Sequence, residues 1–396
     1  MSILAKSQQL HPKLVSWRRH LHQNPELSFV EYETQQYIIQ ELEAMGLRPR
    51  RLGDTGVVVD IGQGEGGVAI RADIDALPLT EESNHPFKSQ NPGVMHACGH
   101  DGHTAMLLGV AKLLVDLESL PGHIRLMFQP AEEKIPGGAK KLIADGVLDG
   151  IDRVLGLHLS SDLPTGKAGA VFGAQTANAD TFTITVEGRG GHGSQPELAV
   201  DAIVVAAELV TTLQTVVSRS LSPRNAGVVT VGTFNAGSNF NIIAPRAVLT
   251  GTVRTFTDED RSTIKQRIEE LAENITRAHR ASAAVDYGWG YPSVVNTTTE
   301  TEMAYAVIRR IMGEGAGIPI QPLMAGEDFS YYQHHCPGTF LMLGCRNPEA
   351  DAQYPHHHPQ FTLDEEALPF GTAILTETAL EFLLINPSRS RKEGVS

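Results

Sequence analysis

The stretch "VMHACGHDGHTAM" (94–106) concentrates side chains that bind metals or carry out acid–base chemistry. One of the chain's three cysteines and three histidines lie between positions 96 and 103. Four interpretations fit such a stretch. It is a thiol nucleophile with a neighbouring base, a closed structural zinc knuckle, half of an open catalytic metal site, or a structural loop whose Asp101 caps the following helix.

Spacing separates these interpretations. Cys98 and His100 are two residues apart, which rarely brings a thiol in line with an imidazole, and no third orienting group is evident. A zinc knuckle needs paired short spacings such as C-x₂₋₄-C, and no second cysteine is near. A thiolate just before a helix is favoured by the helix dipole and by an adjacent cation. The metal site explains more of the pattern, and the structural loop stays the alternative.

A pair of adjacent glutamates in "QPAEEKIPGG" supplies the second group. Adjacent residues of an extended segment point to opposite sides, so one of Glu132 and Glu133 can bind a metal while the other handles protons. The alternative is a solvated loop, because Glu-Glu pairs are common on surfaces. The position of this pair, after a buried strand and before Gly137-Gly138, favours function.

Two histidine-containing segments are ambiguous by themselves. His158 interrupts an apolar strand, where a satisfied core histidine is the simpler interpretation. The internal segment "YPHHHPQF" (354–361) is compatible with a nonspecific basic or metal-binding turn.

These residues must be positioned by a sheet. Apolar runs at 56–62, 67–73, 123–133 and 153–159 alternate with helical patterns, including 103–117 and 137–145, which predicts an α/β layer with a largely parallel sheet. In such sheets, ligands bind at the carboxyl ends of the strands. The candidate acidic groups and histidines follow several such ends, which predicts a common site.

The pattern changes near Ala179. An alternating strand, a helix over 196–217, strands at 227–234 and 247–256, a helix over 258–280 and a last strand from Ser282 predict a β-α-β-β-α-β domain. We therefore predict a discontinuous first domain of residues 1–178 and 292–396, with the α+β domain of 179–291 inserted into it.

Composition excludes other classes. The chain of 396 residues has 32 basic and 46 acidic side chains, a formal charge of −14, which argues against binding to nucleic acid. We expect no membrane span and no secretory signal, because no sufficiently long apolar run exists. Three unevenly spaced cysteines argue against a disulfide framework and favour a cytoplasmic location.

Taken together, the motifs resemble those of the M20 metallopeptidase family. They are "RADIDALPL", "MHACGHDGHTAMLLG", "FQPAEE", "GLHL", "GRGGHGSQP", "GEDFSYY" and "HHHPQFTLDEEAL", and they span about residues 15–382 in the order of the family. They look most like its amidohydrolase branch of hippurate hydrolases, N-acyl-amino-acid deacylases and auxin-conjugate hydrolases.

The resemblance implies a two-metal catalytic domain and an inserted lid and dimerisation domain. It implies that Cys98 bridges two divalent ions, with one set of ligands for each ion: His100 and His158 for one, Glu133 and His357 for the other. The mixed sulfur, nitrogen and oxygen ligands suit zinc, manganese, cobalt or nickel. His357 is selected among the three histidines because the family's ligand lies two residues before the proline, here Pro359. Glu132 would be the general base, and Asp75 would support the site.

The resemblance also implies roles for the inserted domain. His192 would reach a partner subunit's site and stabilise the oxyanion in a homodimer or a dimer-based tetramer, although a turn histidine is the simpler interpretation of the residue alone. Asn241 and Arg254 are candidates for binding the substrate carboxylate, and an exposed strand arginine is the alternative for Arg254. We assign Glu327 and Asp328 no role.

The expected activity is metal-dependent cleavage of the linear amide of an N-acyl amino acid. The five ligands bring two formal negative charges against four positive ones, which predicts a locally cationic pocket suited to a carboxylate. A metallo-dipeptidase or aminopeptidase is the near alternative. An inactive metal-binding scaffold is disfavoured because Glu132 and all five candidate ligands are present.

Overall fold

The structure, a computed structural model, describes residues 1–64 and 66–384. These residues form two compact units. The first consists of Met1–Gly173, Val294–Gln321 and the chain from Asp328 onward, and the second of Ala174–Ser293 and Pro322–Glu327. Residues 65 and 385–396 of the predicted first domain lie outside the described part. The catalytic and lid roles given to the two domains stay predictions.

The helices and strands follow one another along both units. The helices are α1 (Ile3–Gln9), α2 (His11–Gln23), α3 (Tyr32–Ala44), α4 (His100–Val115), α5 (Ala139–Ala144), α6 (Ala202–Leu213), α7 (Thr215–Ser220), α8 (Asp258–Ala278), α9 (Thr298–Met312), α10 (Ser330–Gln333) and α11 (Ala367–Leu383). The strands are β1 (Arg50–Leu52), β2 (Gly56–Gly62), β3 (Gly67–Asp73), β4 (His123–Gln129), β5 (Ile151–Pro164), β6 (Ala168–Gly169), β7 (Gly173–Ala174), β8 (Asn178–Glu187), β9 (Gly191–His192), β10 (Gly227–Ala236), β11 (Ile242–Ile243), β12 (Arg246–Thr255), β13 (Ser282–Tyr291), β14 (Val295–Asn296) and β15 (Gly338–Arg346).

The first unit is built on a sheet in the order β1-β2-β4-β3-β5-β15-β6. Its central strands β4, β3, β5 and β15 are parallel, and antiparallel strands flank them. All seven residues of β3 are buried, as a strand covered on both faces requires. Helix α4 is apolar almost all round and packs against α2, α3 and α11 in the same core. The predicted α/β class with a largely parallel sheet is confirmed.

The second unit has its own core. Its antiparallel sheet runs β10-β12-β8-β13, and α6 and α8 cover one face. The buried core between them includes Phe182 of the sheet, Leu209 of α6 and Ile268 of α8. The alternating burial of β8 explains its period-2 sequence, because only one face of this sheet packs against helices.

Several predicted element bounds were wrong. The helix predicted over 196–217 begins at Ala202, where the Asp201 side chain accepts a hydrogen bond from the Ile203 amide (2.9 Å), and it is split into α6 and α7. Helix α4 begins at His100 rather than at 103, because Gly99 adopts a left-handed conformation (φ 90°) just before it.

Two predicted strands also have different ends. Strand β4 ends at Gln129 rather than at 133, because Pro130 follows it and Ala131 has a positive φ of 55°. Strand β5 was predicted to end at 159, but its pairing with β15 continues to Pro164. Among the described residues, no helix combines the length and the apolar character needed to cross a membrane.

Candidate metal centre

The candidate ligands converge in the first unit. Asp73 ends β3, Glu132 and Glu133 follow β4, and Cys98 and His100 stand at the start of α4. The sequence predicted His158 near the end of a strand. It lies instead within β5, where it pairs with Met342 of β15. The register still sets it beside the end of β3, since Arg71 pairs with Gly156.

Three of the overlapping sets of ligand atoms belong wholly to the described residues of the first unit, and the atoms within each set lie within 4.8 Å of one another. They are Cys98 with Glu133 and His357, His100 with Glu132 and Glu133, and Asp73 with His100, His103 and His158. Cys98 Sγ is also 3.6 Å from Nε2 of His158. The thiol therefore lies between the two groups of ligands that the resemblance assigns to two ions.

The hydrogen bonds of His100 aim one nitrogen at this centre. Its Nδ1 donates to the backbone oxygen of Asp75 (2.9 Å), so Nε2 carries the lone pair in the neutral ring. Asp75 Oδ1 lies 3.4 Å from the same Nδ1, and its Oδ2 accepts from the Glu133 amide (3.0 Å). Asp75 thus orients two candidate ligands without itself being one, as carboxylates next to metal-bound histidines do.

His158 has the same arrangement, whereas His103 does not. Nδ1 of His158 donates to the Leu159 oxygen (2.6 Å), which leaves Nε2 facing Cys98. Both nitrogens of His103 are engaged, since Nδ1 donates to Asp73 and Nε2 accepts from the Leu159 amide (2.8 Å). His103 therefore has no lone pair left for a metal.

Hydrogen bonds also distinguish the three consecutive histidines. Nε2 of His356 accepts from the Ser161 amide (3.2 Å), and Nδ1 of His358 accepts from the Gln360 amide (3.0 Å). Nε2 of His357 lies 3.3 Å from Glu133 Oε1. The amide of His357 donates to the Ala97 oxygen (2.8 Å), which ties this turn to the loop that carries Cys98.

The donor set fits divalent cations. His100 Nε2 and Glu133 Oε1 are buried without a hydrogen-bond partner, and such groups are costly unless a further ligand satisfies them. Burial and the charges of Glu133 and Glu132 raise the pKa of the Cys98 thiol well above its usual value. Burial lowers the pKa of His100, but the charge of Asp73 and the bond to Asp75 outweigh it and raise that pKa to about 10. The Cys98 thiol and the His100 ring therefore favour their protonated forms, and a metal competes with those protons.

The predicted surplus of positive charge at the site stays a prediction. Asp73 lies in a cluster with His100, His103 and His158, and Glu132 lies in one with His100 and Glu133. The ligand count did not include these two further carboxylates.

Comparison with known proteins decides the family. The sequence model of Peptidase family M20/M25/M40 matches residues 69–381. The chain belongs to this family. The predicted resemblance is confirmed.

Individual relatives of this M20 chain extend the comparison. It is 43% identical over 379 residues to the N-acetyl-L-cysteine deacetylase of Bacillus subtilis, covering 94% of this chain and 89% of the relative. It is 47% identical over 287 residues to the N-acyl-L-amino acid amidohydrolase of Geobacillus stearothermophilus, covering 72% and 78%. A solved structure, the Bacillus subtilis YXEP protein, described as a dinuclear metal binding peptidase from the M20 family, superposes with a TM-score of 0.85 at 36% identity, covering 96% of this chain and 99% of the other.

The remaining candidates lie in the second unit. His192 ends β9, which pairs with β11, and the Gly193 amide donates to the Asn241 oxygen (2.8 Å). His192 and Asn241 are thus neighbours. Arg254 lies on β12, half-buried, and donates to Val253 O (2.9 Å) and to the Thr252 hydroxyl.

A buried network beside the clusters was not anticipated from the sequence. Arg71 donates to Asp73 Oδ2 (2.6 Å) and to Asp328 Oδ1 (2.8 Å), and Gln129 Nε2 also donates to Asp328 (2.9 Å). Asp328, to which the sequence assigned no role, is fully buried and shares Arg71 with Asp73. The only signal in the sequence was the placement of Arg71 and Gln129 inside apolar strands.

Proposed function

We propose that this M20 chain is a metal-dependent amidohydrolase that cleaves N-acyl amino acids into a carboxylate and a free amino acid. The observation that carries the proposal is the convergence of thiol, imidazole and carboxylate ligand atoms around His100 Nε2 and Glu133 Oε1, two buried atoms that make no hydrogen bond. The relatives named N-acyl-L-amino acid amidohydrolase and N-acetyl-L-cysteine deacetylase support the substrate class.

Five residues would hold two divalent ions. Cys98 would bridge them, which its position near both His158 and the pair Glu133 and His357 supports. The ions would polarise the amide carbonyl and lower the pKa of a water molecule. The mixed sulfur, nitrogen and oxygen ligands suit zinc, manganese, cobalt or nickel.

Glu132 would move the proton. It is buried, and its carboxylate lies within 4.8 Å of ligand atoms of His100 and Glu133. A carboxylate oxygen of Glu132 takes a proton from the attacking water and delivers it to the amine nitrogen as the carbon–nitrogen bond breaks.

His192 would stabilise the oxyanion of a partner subunit's site. Its Nδ1 accepts from the Ser194 amide (3.2 Å), so the neutral ring carries its proton on Nε2. An exposed N–H donor is the group that an oxyanion requires. Asn241 and Arg254, on the same unit, would bind the substrate carboxylate, for which a guanidinium is well suited.

A homodimer through the second unit, alone or within a dimer-based tetramer, completes the proposal. Large apolar side chains are exposed there, including Phe240, which is 97% exposed, Ile242 and Leu198. Exposed apolar side chains that cluster into a patch mark protein–protein interfaces. A reducing, cytoplasmic location is supported by the three free cysteines.

The test is a panel of N-acetyl, N-benzoyl and dipeptide substrates, assayed with metal-stripped and metal-reloaded protein. N-acyl amino acids should be cleaved only after reloading. Preference for the dipeptides would replace the proposal with a dipeptidase, and activity that survives a chelator but not a thiol alkylator would replace it with a cysteine nucleophile.

Glu132→Gln tests the base. It should bind the same amount of metal and lose on the order of 10²–10⁴-fold in kcat, the usual contribution of a general base. Glu82→Gln, a matched change at an exposed glutamate of the first unit, should keep full activity. Turnover near the wild-type rate in Glu132→Gln would remove Glu132 from this role.

Mixed dimers test His192. A His192→Ala subunit paired with a Glu132→Gln subunit should regain part of the lost activity, because one site then combines an intact Glu132 with an intact His192 from the other subunit. If mixing restores nothing, His192 does not act across the dimer.

A further inference from the structure

The segment between α2 and α3 contains a buried carboxylate that the proposed reaction does not use. Glu31 precedes α3 and is fully buried, yet its side chain does not cap that helix. It accepts hydrogen bonds from the Phe29 amide (3.0 Å), from the Thr55 hydroxyl and from the Ala131 amide (2.9 Å). The last contact joins residues 100 positions apart, and Ala131 immediately precedes the proposed base.

Ala131 has an uncommon backbone conformation. Its φ of 55° lies in the left-handed region, which a residue with a side chain rarely adopts unless its surroundings impose it. Both polar groups of its backbone are held, since its amide donates to Glu31 and its oxygen accepts from the Gly138 amide (3.0 Å). This conformation sets the direction in which the chain leaves β4 toward Glu132.

The same segment also contacts Asp75, whose carboxylate fixes the backbone on the Glu133 side of the glutamate pair. The Ser28 hydroxyl donates to Asp75 Oδ2 (2.6 Å), and that oxygen accepts the Glu133 amide. The Ala76 amide donates to the backbone oxygen of Glu26 (2.8 Å). The backbone is therefore fixed by one carboxylate just before Glu132 and by another just after it, and residues 26–31 contact both attachments.

We propose that Glu31 is a positioning residue that aims the Glu132 carboxylate by holding the amide of Ala131. The inference rests on the proposed function, because it takes Glu132 as the base. Its requirement is geometric: an acceptor oxygen must reach the Ala131 amide. The negative charge of Glu31 is not part of that requirement, and burial raises the pKa of this carboxyl to about 7 despite the bond from Thr55.

Two substitutions test separately whether the length or the negative charge of the Glu31 side chain is required. Glu31→Gln keeps the length of the side chain and one acceptor oxygen but removes the charge. Glu31→Asp keeps the charge but is one methylene shorter, so its oxygens withdraw from the Ala131 amide. Positioning predicts that Glu31→Gln retains kcat within about threefold, while Glu31→Asp and Glu31→Ala lose on the order of 100-fold with little change in KM, as small displacements of catalytic groups do. The opposite ranking, with Glu31→Asp active and Glu31→Gln impaired, would overturn the proposal.

A measurement on the metal-free protein gives an independent readout. Hydrogen exchange of the peptide that contains the Ala131 amide should accelerate in Glu31→Ala and Glu31→Asp but not in Glu31→Gln. Glu300→Gln is the matched control, since Glu300 is equally buried and accepts from Arg153 in the same unit (3.1 Å). Its effect should be limited to stability. Unchanged exchange in Glu31→Ala would contradict the proposed contact.

A double-mutant comparison separates failure of this inference from failure of the proposed function. In the Glu132→Gln background, Glu31→Asp should cause no further loss of turnover, because the group that it positions is already absent. If Glu132→Gln itself stays active, the assignment of the base fails. If Glu132→Gln is inactive while Glu31→Asp and Glu31→Ala both fold and turn over normally, only the positioning role fails.

Discussion

Replacing Asp75 by asparagine should weaken metal binding without removing a ligand. The Asp75 side chain accepts hydrogen bonds from Ser28 and from the Glu133 amide, and its other oxygen lies 3.4 Å from Nδ1 of His100. Asparagine has the same shape. Its oxygen can serve Ser28 and Glu133, but its amide group then meets the N–H of His100, where a negative charge stood before.

The size of the effect follows from what the substitution leaves intact. Loss of a carboxylate that supports metal ligands commonly costs 10–100-fold in metal affinity. Nδ1 of His100 keeps its bond to the backbone oxygen of Asp75 (2.9 Å), so the ring keeps its orientation. We therefore expect a loss of metal affinity at the lower end of this range, about 10-fold, which is equivalent to about 1.4 kcal/mol of binding free energy.

Metal affinity is measured by competition with a chromophoric chelator, and unfolding is followed with and without saturating metal. The stabilisation that metal provides should fall by about 1.4 kcal/mol for each ion affected, because binding to the folded state adds RT ln(1 + [L]/Kd). Asp180→Asn is the matched control. Asp180 is a buried carboxylate of the second unit that pairs with Arg261, so its loss should lower stability and leave metal affinity unchanged.

Two results would refute this reasoning. Wild-type affinity in Asp75→Asn would show that the carboxylate does not support the ligands. A loss far above 100-fold, together with the absence of one ion, would show that Asp75 is itself a ligand.

Three further changes are predicted. His357→Ala should weaken metal binding and His358→Ala should not, as measured by the same chelator competition, because only His357 approaches Glu133. Cys98→Ala should lose metal, measured by elemental analysis, together with activity, and retention of both ions would exclude a bridging thiolate. Burial raises the pKa of Glu81, but the hydrogen bond and charge of His22 outweigh it and lower that pKa to about 2. The ionised Glu81 side chain therefore stabilises the folded state at pH values above its ordinary pKa near 4.5, and this stabilisation is lost as the pH falls toward 2. In Glu81→Gln the free energy of unfolding, measured by denaturant titration, should vary less over that range.

Local patterns in the sequence predicted much of the fold. Strands β2 and β3 have the predicted bounds, and α8 ends within two residues of its prediction, because apolar periodicity reports burial directly. Strand order has no such local signature. The insertion of β15 between β5 and β6, and with it the extension of β5 to Pro164, depends on pairing between segments far apart in the chain.

In the candidate site, too, local patterns could be predicted from the sequence, whereas contacts between distant segments could not. Residue type and motif order selected Cys98, His100 and Glu133 as candidates, since few side chains bind metals. The full set of bonds made by His103, and the contact of Glu31 with the Ala131 amide, could not be predicted. These properties depend on which backbone groups the fold brings together, and no sequence spacing reports them.

The discontinuity of the first unit has a consequence for synthesis on the ribosome. The edge of β5 that receives β15 is complete at Pro164, but β15 begins only at Gly338. At about 5–20 residues per second, the nascent chain waits roughly 10–40 s with this edge unpaired and without His357. During that interval the whole of Ala174–Ser293 emerges with its own core. The inserted unit can therefore fold while the parent sheet is still open, and the candidate metal centre is among the last parts of the molecule to be assembled.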